Sequence, residues 1–197
     1  MSTRRIVIGI TGASGAAYAR RVIEHLTIAG VEVHLAVSAL GRRLLLDELD
    51  LRVDGDALSN GRGHLVTVYP ENDVGAKIAS GSFLHDGMII VPCSGNTLGA
   101  VASGVTGNLL QRAAAVTLKE RRRLVLAYRE SPMGHIDLVN MLRLSEAGAV
   151  LAPLAPGFYL LPQTVDDLVD FMAGKLLDLV GVEHALNTRW TGQTPKP

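Results

Sequence analysis

The chain has 197 residues, and its 19 Lys and Arg side chains are balanced by 19 Asp and Glu, so its formal net charge is zero. This balance argues against nucleic acid as the main partner, because binding to a phosphate backbone relies on a surplus of positive charge. The length suits one well-buried domain over residues 1–197, and 48% hydrophobic with 19% charged residues is typical of a globular chain with much internal or intersubunit surface.

Apolar runs and amphipathic patterns alternate along the chain. The apolar runs predict strands at residues 5–11, 31–37, 64–70, 87–92, 123–128 and 148–153. Helical periodicity predicts helices at residues 16–29, 38–48, 97–102, 108–122, 135–146 and 165–179, the last with Thr164 as its N-cap. Residues 71–83 lack clear periodicity and are expected to form a loop or a short helix, and residues from about 190 to 197 a loose tail. The alternation predicts an α/β fold with a mostly parallel sheet covered on both faces.

Residues 87–111 carry no charge, which superficially resembles a membrane segment. Pro92 and many small polar residues interrupt this run, so a buried strand followed by a buried helix is the better interpretation. The start of the chain, MSTRR, leads into a short glycine-containing apolar run rather than a signal peptide. We therefore expect a cytoplasmic protein that does not bind a membrane.

The segment TGASG, residues 11–15, follows the first predicted strand and differs from the G-x-G-x-x-G pattern of dinucleotide folds. Its backbone N–H groups and the Ser14 hydroxyl lie at a predicted helix N-terminus, which is a natural anion site. The second strand ends at Ser38 rather than at the acidic residue that holds a dinucleotide's ribose. No tyrosine has a lysine four residues later, as a short-chain dehydrogenase would require. A mononucleotide phosphate is the favoured ligand, and a glycine turn without a ligand is the alternative.

A second polar junction follows the fourth predicted strand in the segment PCSGNT. Its Ser94, Asn96 and Thr97 side chains suit hydrogen bonds to a planar polar ring such as isoalloxazine. Cys93 is the only cysteine, which excludes an intramolecular disulfide, and no histidine partner is evident for a nucleophilic role. A packed core thiol is therefore the favoured interpretation of Cys93.

Several cations lie where they could hold an anion. Arg112 and Lys119 are seven residues apart and share a helix face, although a solvated basic face is the favoured interpretation of the KERRR run as a whole. Lys175 lies in an otherwise apolar stripe of the last helix, so it either snorkels to solvent or points toward an anion, across a subunit boundary if need be.

Arg129 and Glu130 end the fifth predicted strand, where they could bind a phosphate and move a proton. A surface salt bridge is the alternative. The phenol of Tyr159 could donate to a phosphate oxygen or be buried in the core. The six histidines are scattered and no metal-binding spacing is present, so the sequence predicts no metal site.

Taken together, these segments closely resemble the UbiX-like flavin prenyltransferases, from about residue 5 to residue 190. The shared motifs, in order, are TGASGA, PCSGNTLGAVASG, NLLQRAA, LKERRRLVL, RESP, NMLRLSEAGAV, APGFY and PQTVDDLVDF. The resemblance implies a single three-layer αβα sandwich, Rossmann-like or flavodoxin-like, in a homo-dodecamer built from trimers. It also implies reduced FMN and dimethylallyl phosphate as ligands, without metal. The dimethylallyl group would be attached to N5 and C6 of the flavin, and the prenylated FMN would serve UbiD-type decarboxylases.

The resemblance also implies the residues of the site. The flavin would bind Gly12, Ala13, Ser14, Ser38, Ser94, Gly95, Asn96, Thr97 and Arg129. The prenyl donor would meet Arg112, Lys119, Arg129, Tyr159 and Lys175. Catalytic roles would fall to Ser14, Glu48, Lys119 and Glu130. The chain departs from the commoner family pattern at Gly95–Asn96, Tyr128, Val139 and Lys175, which leaves the preferred prenyl donor open.

Two other functions stay open on the sequence. Flavin-dependent cysteine decarboxylases share the expected fold and a similar flavin-binding helix, but they typically carry a P-x-M-N-x-x-M segment that this chain lacks. A non-catalytic flavin carrier, or a structural subunit of a decarboxylase complex, is the third possibility.

Overall fold

Residues 3–189 are described by a computed structural model, and within them six strands form one parallel sheet in the order β3-β2-β1-β4-β5-β6. The strands are β1 Arg5–Ile10, β2 Glu32–Val37, β3 Val66–Tyr69, β4 Gly87–Cys93, β5 Leu124–Tyr128 and β6 Val150–Leu151. The expected loose tail from about residue 190 lies outside the described residues.

Seven α-helices within the described residues cover both faces of this sheet. They are α1 Ala16–Ile28, α2 Ala39–Leu49, α3 Gly55–Ser59, α4 Gly95–Ala102, α5 Leu109–Lys119, α6 His135–Glu146 and α7 Val165–Leu179. Buried side chains of α1, α2, α3 and α7 form one hydrophobic core, and those of α4, α5 and α6 form the other. The predicted three-layer αβα sandwich with a mostly parallel sheet is confirmed.

Successive side chains of a strand point to opposite faces of the sheet, so one sheet contributes to two cores. In β1, Ile6, Ile8 and Ile10 belong to the core beneath α1, whereas Val7 between them belongs to the core beneath α5. Strands covered on both faces read as continuous apolar runs, which is why β1 and β4 were recognisable from sequence. The chain runs outward from β1 to β3 and again from β4 to β6, so a crevice is expected between the carboxyl ends of β1 and β4.

Three elements differ from the sequence prediction. The predicted strand at residues 148–153 is reduced to the two residues of β6, although Ala152 N–H and Leu154 N–H still donate to Leu126 and Tyr128 of β5. Pro153 lies between Ala152 and Leu154, and its missing N–H costs no hydrogen bond to β5, because this position of the edge strand faces away from the sheet. The short helix α3, whose N-cap Asp54 accepts from Ala57 N–H, was not predicted.

Helix α5 ends earlier than predicted, at Lys119 instead of Arg122. Arg121 adopts a left-handed φ of 56°, which terminates the helix. The Arg122 guanidinium then donates to the backbone oxygens of Phe83 and Gly81 at 2.7 and 2.6 Å. Part of the basic run therefore fixes the 81–83 loop instead of facing solvent.

Candidate active site

A cleft opens at the predicted crevice, on the carboxyl edge of the sheet. It is lined by Thr11, Gly12, Ser38, Ala39, Leu40, Glu71, Ser94, Asn96, Thr97, Asn108 and Gln111. The structure thus brings together five of the residues expected to bind flavin: Gly12, Ser38, Ser94, Asn96 and Thr97. Ala13 and Ser14 follow Gly12 in the same loop, and Gly95 lies between Ser94 and Asn96.

Six of the described lining residues were not predicted as site residues: the apolar Ala39 and Leu40 and the polar Thr11, Glu71, Asn108 and Gln111. Thr11 is buried, and its Oγ1 donates to Pro92 O at 2.7 Å while accepting from Ser94 N–H at 2.8 Å. This hydroxyl joins the carboxyl ends of β1 and β4 and so fixes the floor of the cleft. The signal was available in the TGASG segment, where a threonine follows a buried strand.

Three helix N-termini meet at the cleft, each capped by a residue that lines it. Ser38 Oγ accepts from Gly41 N–H at 3.0 Å for α2, and Ser94 Oγ accepts from Thr97 N–H at 3.4 Å for α4. Asn108 Oδ1 accepts from Gln111 N–H at 2.9 Å for α5. Helix N-termini carry partial positive charge and favour anions, so the cleft suits an anionic ligand although no Lys or Arg of the described part of the chain lines it.

Close packing explains why the loop after β1 contains Gly12. A Cβ on Gly12 would lie 2.5 Å from the Cβ of Leu40 at the start of α2. The loop therefore runs directly against α2 and keeps Ser38 beside Gly12. Gly15 has a φ of 129°, a conformation that residues with side chains rarely adopt, so it allows the chain to turn into α1.

The N-terminus of α1 is not open to a ligand, which differs from the sequence expectation. The carboxylate of Glu48, on α2, accepts from Gly15 N–H at 3.0 Å and from Ala16 N–H at 2.8 Å. Glu48 therefore occupies the anion position at this helix end. The Ser14 hydroxyl is exposed and does not cap α1, so an anion bound by this loop would meet residues 12–14 rather than the helix terminus.

Arg129 and Glu130 lie on the same edge as the cleft, directly after β5. Arg129 N–H donates to Cys93 O at 3.1 Å, which holds this strand end beside that of β4. Glu130 is exposed and its Oε1 accepts from Ser131 N–H at 3.0 Å. Arg112, in the first turn of α5, is also exposed near this edge. The guanidinium groups of Arg112 and Arg129 form no hydrogen bond or ion pair with the described residues.

Tyr159 and Lys175 form a second group, along α7. The Tyr159 ring packs edge-on against Phe171, with ring centroids 5.5 Å apart. Lys175 is exposed and follows Phe171 by one helical turn on the same face. The segment that leads to Tyr159 starts beside the end of β5, because Leu154 N–H donates to Tyr128 O at 2.8 Å.

Lys119 lies at the opposite edge of the sheet. Helix α5 begins at the carboxyl edge and runs back toward the start of β5, so its last residue is about 15 Å from its first. There the Lys119 ammonium pairs with Glu120 Oε1 at 2.5 Å. Within one chain, Lys119 therefore does not meet Arg129 or Glu130, contrary to the expectation of one cluster.

Two buried groups beside the cleft are held neutral. Burial raises the pKa of the Cys93 thiol to about 12, so this residue stays protonated and a nucleophilic role is disfavoured. Burial, followed by the nearby Asp137 carboxylate, raises the pKa of Tyr128 to about 12. A Cβ on Gly95 would lie 3.5 Å from both the Tyr128 hydroxyl and Asp137 Oδ1. Two of the departures from the family pattern, Gly95 and Tyr128, are therefore neighbours in space.

Residues 3–189 contain neither a candidate membrane-spanning helix nor a cluster of metal-binding side chains. No helix in this range has the length and apolar character needed to cross a bilayer. No group of three or more His, Cys, Asp and Glu side chains is arranged to hold a metal ion in the same range.

Comparison with known proteins identifies the family. The Flavoprotein family model matches residues 1–177. The flavin prenyltransferase UbiX of Halalkalibacterium halodurans is 47% identical over 189 residues, covering 93% of this chain and 91% of that protein. The crystal structure of AnUbiX (PadA1) in complex with FMN and dimethylallyl pyrophosphate is 41% identical, with a TM-score of 0.88 over 98% of this chain and all of that one.

Two further structures show where the likeness is close and where it is distant. A dodecameric FMN-dependent UbiX-like decarboxylase from Escherichia coli O157:H7 is 38% identical, with a TM-score of 0.88 over 95% of this chain and all of that one. The FMN-dependent cysteine decarboxylase SpaF is 19% identical, with a TM-score of 0.58 over 75% of this chain and 82% of that one, a likeness that shows the fold alone. The chain belongs to the UbiX family of flavin prenyltransferases.

Proposed function

We propose that this protein transfers a dimethylallyl group from dimethylallyl phosphate to N5 and C6 of reduced FMN. The observation that carries the proposal is the cleft itself, where three capped helix N-termini meet on the same edge of the sheet as Arg129 and Glu130. A relative of the same fold at 41% identity has been solved with FMN and dimethylallyl pyrophosphate. Whether this chain prefers the monophosphate or the diphosphate donor is decided by assay of both.

The residues of the cleft fit an FMN molecule. Residues 12–14 and Ser38 would hold its phosphate, because the Ser38 oxygen accepts from Gly41 N–H and its own proton is left to donate. Residues 94–97 and Arg129 would hold the polar edge of the ring. Reduced FMN supplies the electron-rich N5 and C6 atoms that receive the prenyl group.

The cations around the site would hold the phosphate of the donor. As the allylic C–O bond breaks, negative charge builds on the departing phosphate, and fixed positive groups stabilise that charge. Arg112, Arg129 and Lys175 have no competing partner among the described residues, so they are available for this role. The Tyr159 phenol would add a hydrogen bond. Glu130 would act as the general acid and base.

Glu48 would act through the loop that it holds. Its carboxylate accepts hydrogen bonds from Gly15 and Ala16 N–H groups and would thereby position Ser14 for the flavin. We assign Glu48 as a positioning residue, since its oxygens are already engaged by backbone N–H groups.

Lys119 would serve a site only in an assembly. Because it lies on the amino edge of the sheet, a second copy must present that edge to the carboxyl edge of the first. Such a head-to-tail contact is heterologous and closes into a ring when the rotation allows. This arrangement agrees with the dodecamer of trimers implied by the family resemblance and with the dodecameric relative.

Three narrower features complete the proposal. The reaction would need no metal, the prenylated FMN would pass to a UbiD-type decarboxylase, and the protein would act in the cytoplasm. Each of these rests on the family resemblance or on the sequence, and each stays a prediction.

Mass spectrometry of the flavin tests the proposal. The purified protein is incubated without oxygen with reduced FMN and dimethylallyl phosphate, or with the diphosphate, in the presence and absence of a chelator. A flavin heavier by one prenyl unit supports the transferase. Flavin that stays bound but unmodified with both donors would contradict it and favour a carrier.

A further inference from the structure

Among residues 3–189, Glu71 is the only charged residue that lines the cleft. It is half-buried and follows β3, at the edge of the sheet. Its negative charge lies in a site whose helix N-termini otherwise favour anions. A carboxylate in that position repels the phosphate of FMN and therefore weakens FMN binding unless it contacts another part of the ligand.

The Glu71 carboxylate is held in one orientation by the start of α5. Its Oε1 accepts from Asn108 Nδ2 at 3.2 Å, and the backbone oxygen of Glu71 accepts from Leu109 N–H at 2.8 Å. Asn108 is itself fixed, because its Oδ1 caps α5. Within residues 3–189 the carboxylate accepts no other side-chain or backbone hydrogen bond. A carboxylate has about four acceptor positions, so most of them are available to a ligand.

The chemistry of FMN decides which part of the ligand fits this acceptor. The phosphate is excluded by like charge, and the polar edge of the ring is assigned by the proposed function to residues 94–97 and Arg129. The ribityl chain is neutral and carries hydroxyl donors. We propose that Glu71, oriented by Asn108, accepts hydrogen bonds from the ribityl hydroxyls and so orients the flavin with its phosphate toward residues 12–14 and Ser38. This inference rests on the proposed binding of FMN in this cleft.

The inference is tested by measuring the affinities of two ligands for the wild-type protein and for a Glu71 variant. The ligands are FMN and an analogue with the same ring and phosphate but a plain alkyl chain, each titrated by flavin fluorescence. Because both ligands carry the phosphate, the repulsion removed by Glu71→Ala affects them equally. We expect the wild-type protein to prefer FMN by roughly 10- to 100-fold, as for hydrogen bonds to a charged group, and Glu71→Ala to lose most of that preference.

Two further variants sharpen the comparison. Asp73→Ala removes a carboxylate two residues away that is exposed and does not line the cleft, so it keeps the wild-type preference for FMN. Glu71→Gln preserves the shape of the side chain and an oxygen for Asn108 but removes the charge. Its preference for FMN falls below that of the wild type even if Glu71→Ala disturbs the start of α5.

The outcomes are distinct. If the wild type binds FMN and both Glu71 variants prefer FMN over the alkyl analogue as strongly as the wild type does, the inference is overturned and Glu71 is a structural residue. If the wild type does not bind FMN at all, the proposed function is wrong, and the inference that depends on it is wrong too.

Discussion

Ser38, Ser94 and Asn108 each cap a helix and line the cleft at the same time. Replacing such a cap with alanine typically costs about 1 kcal/mol of stability, so a loss of activity in these variants would not by itself show ligand binding. Residues without a structural partner are better tests of chemistry at the scale of a single side chain. Glu130 is the clearest of these, because it is exposed and, within residues 3–189, its carboxylate bonds only to the backbone N–H of Ser131.

We expect Glu130→Gln to bind FMN as tightly as the wild type but to slow prenyl transfer by roughly 100-fold or more, the usual contribution of a general acid or base. The amide keeps the shape and the acceptor for Ser131 N–H, but it cannot give or take the proton. Stopped-flow absorbance of the flavin measures the rate. Glu146→Gln, on the exposed end of α6, is the control. A wild-type rate in Glu130→Gln would remove Glu130 from the mechanism.

His34 gives the protein a pH-dependent stability that is separate from catalysis. It is buried on β2 beside Tyr69, and burial, followed by the charge of Lys77, lowers its pKa to about 4. Between pH 6.5 and pH 4 the unfolded chain binds a proton at His34 that the folded chain does not. Stability therefore falls as pH drops through this window, by roughly 3 kcal/mol in total for a shift of this size.

Denaturant unfolding at pH 7 and pH 5 measures this effect. We expect His34→Phe to lose less stability between the two pH values than the wild type does, whatever its stability at pH 7. Part of the slope remains, because burial also lowers the pKa of His85. An equally steep slope in His34→Phe would show that His34 is not the titrating group.

At the scale of elements, the loop after β1 depends on α2. Glu48 joins the two by accepting from Gly15 and Ala16 N–H groups at the start of α1. We expect Glu48→Ala to lower the free energy of unfolding by about 1–2 kcal/mol, because two backbone donors lose a charged acceptor. It would also weaken FMN binding, since the loop that carries Ser14 is no longer held.

Asp47→Ala is the matched control for Glu48→Ala. Asp47 is the preceding carboxylate on α2 and pairs with Arg43 at the exposed surface at 3.2 Å. Exposed pairs of this kind contribute at most a few tenths of a kcal/mol on a helix. Equal losses of stability and of FMN affinity in the two variants would refute the special role of Glu48.

The elements were predictable where the signal is local. The N-cap Thr164 and the acidic first turn predict helix α7 at Val165–Leu179, as observed, and periodicity predicts α6 with equal accuracy. The paired contact of Glu71 with Asn108 could not be predicted, because 37 residues separate them and only the folded sheet brings them together. The position of Lys119, by contrast, could have been predicted from the sequence. A residue at the end of a crossover helix lies at the amino edge of a parallel sheet, opposite the ligand edge.

At the scale of the whole molecule, the distance of Lys119 from the cleft predicts shared sites. Lys119→Ala and Arg129→Ala are each expected to be inactive alone. Mixing the two after dissociation and reassembly would regain activity, because some sites receive Arg129 from one copy and Lys119 from the next. For random mixing in a ring, about a quarter of the sites would be intact. If the mixture assembles properly but regains no activity, Lys119 and Arg129 of neighbouring copies do not form one site.

The most direct measurement is an experimental structure of the assembled protein with FMN and dimethylallyl phosphate bound. The account predicts flavin in the cleft between residues 12–14, Ser38 and residues 94–97. It predicts the donor phosphate within hydrogen-bond distance of Arg129, Tyr159 and the Lys119 side chain of a neighbouring copy. A donor phosphate bound away from Arg129, or a Lys119 that faces solvent in the full assembly, would contradict it.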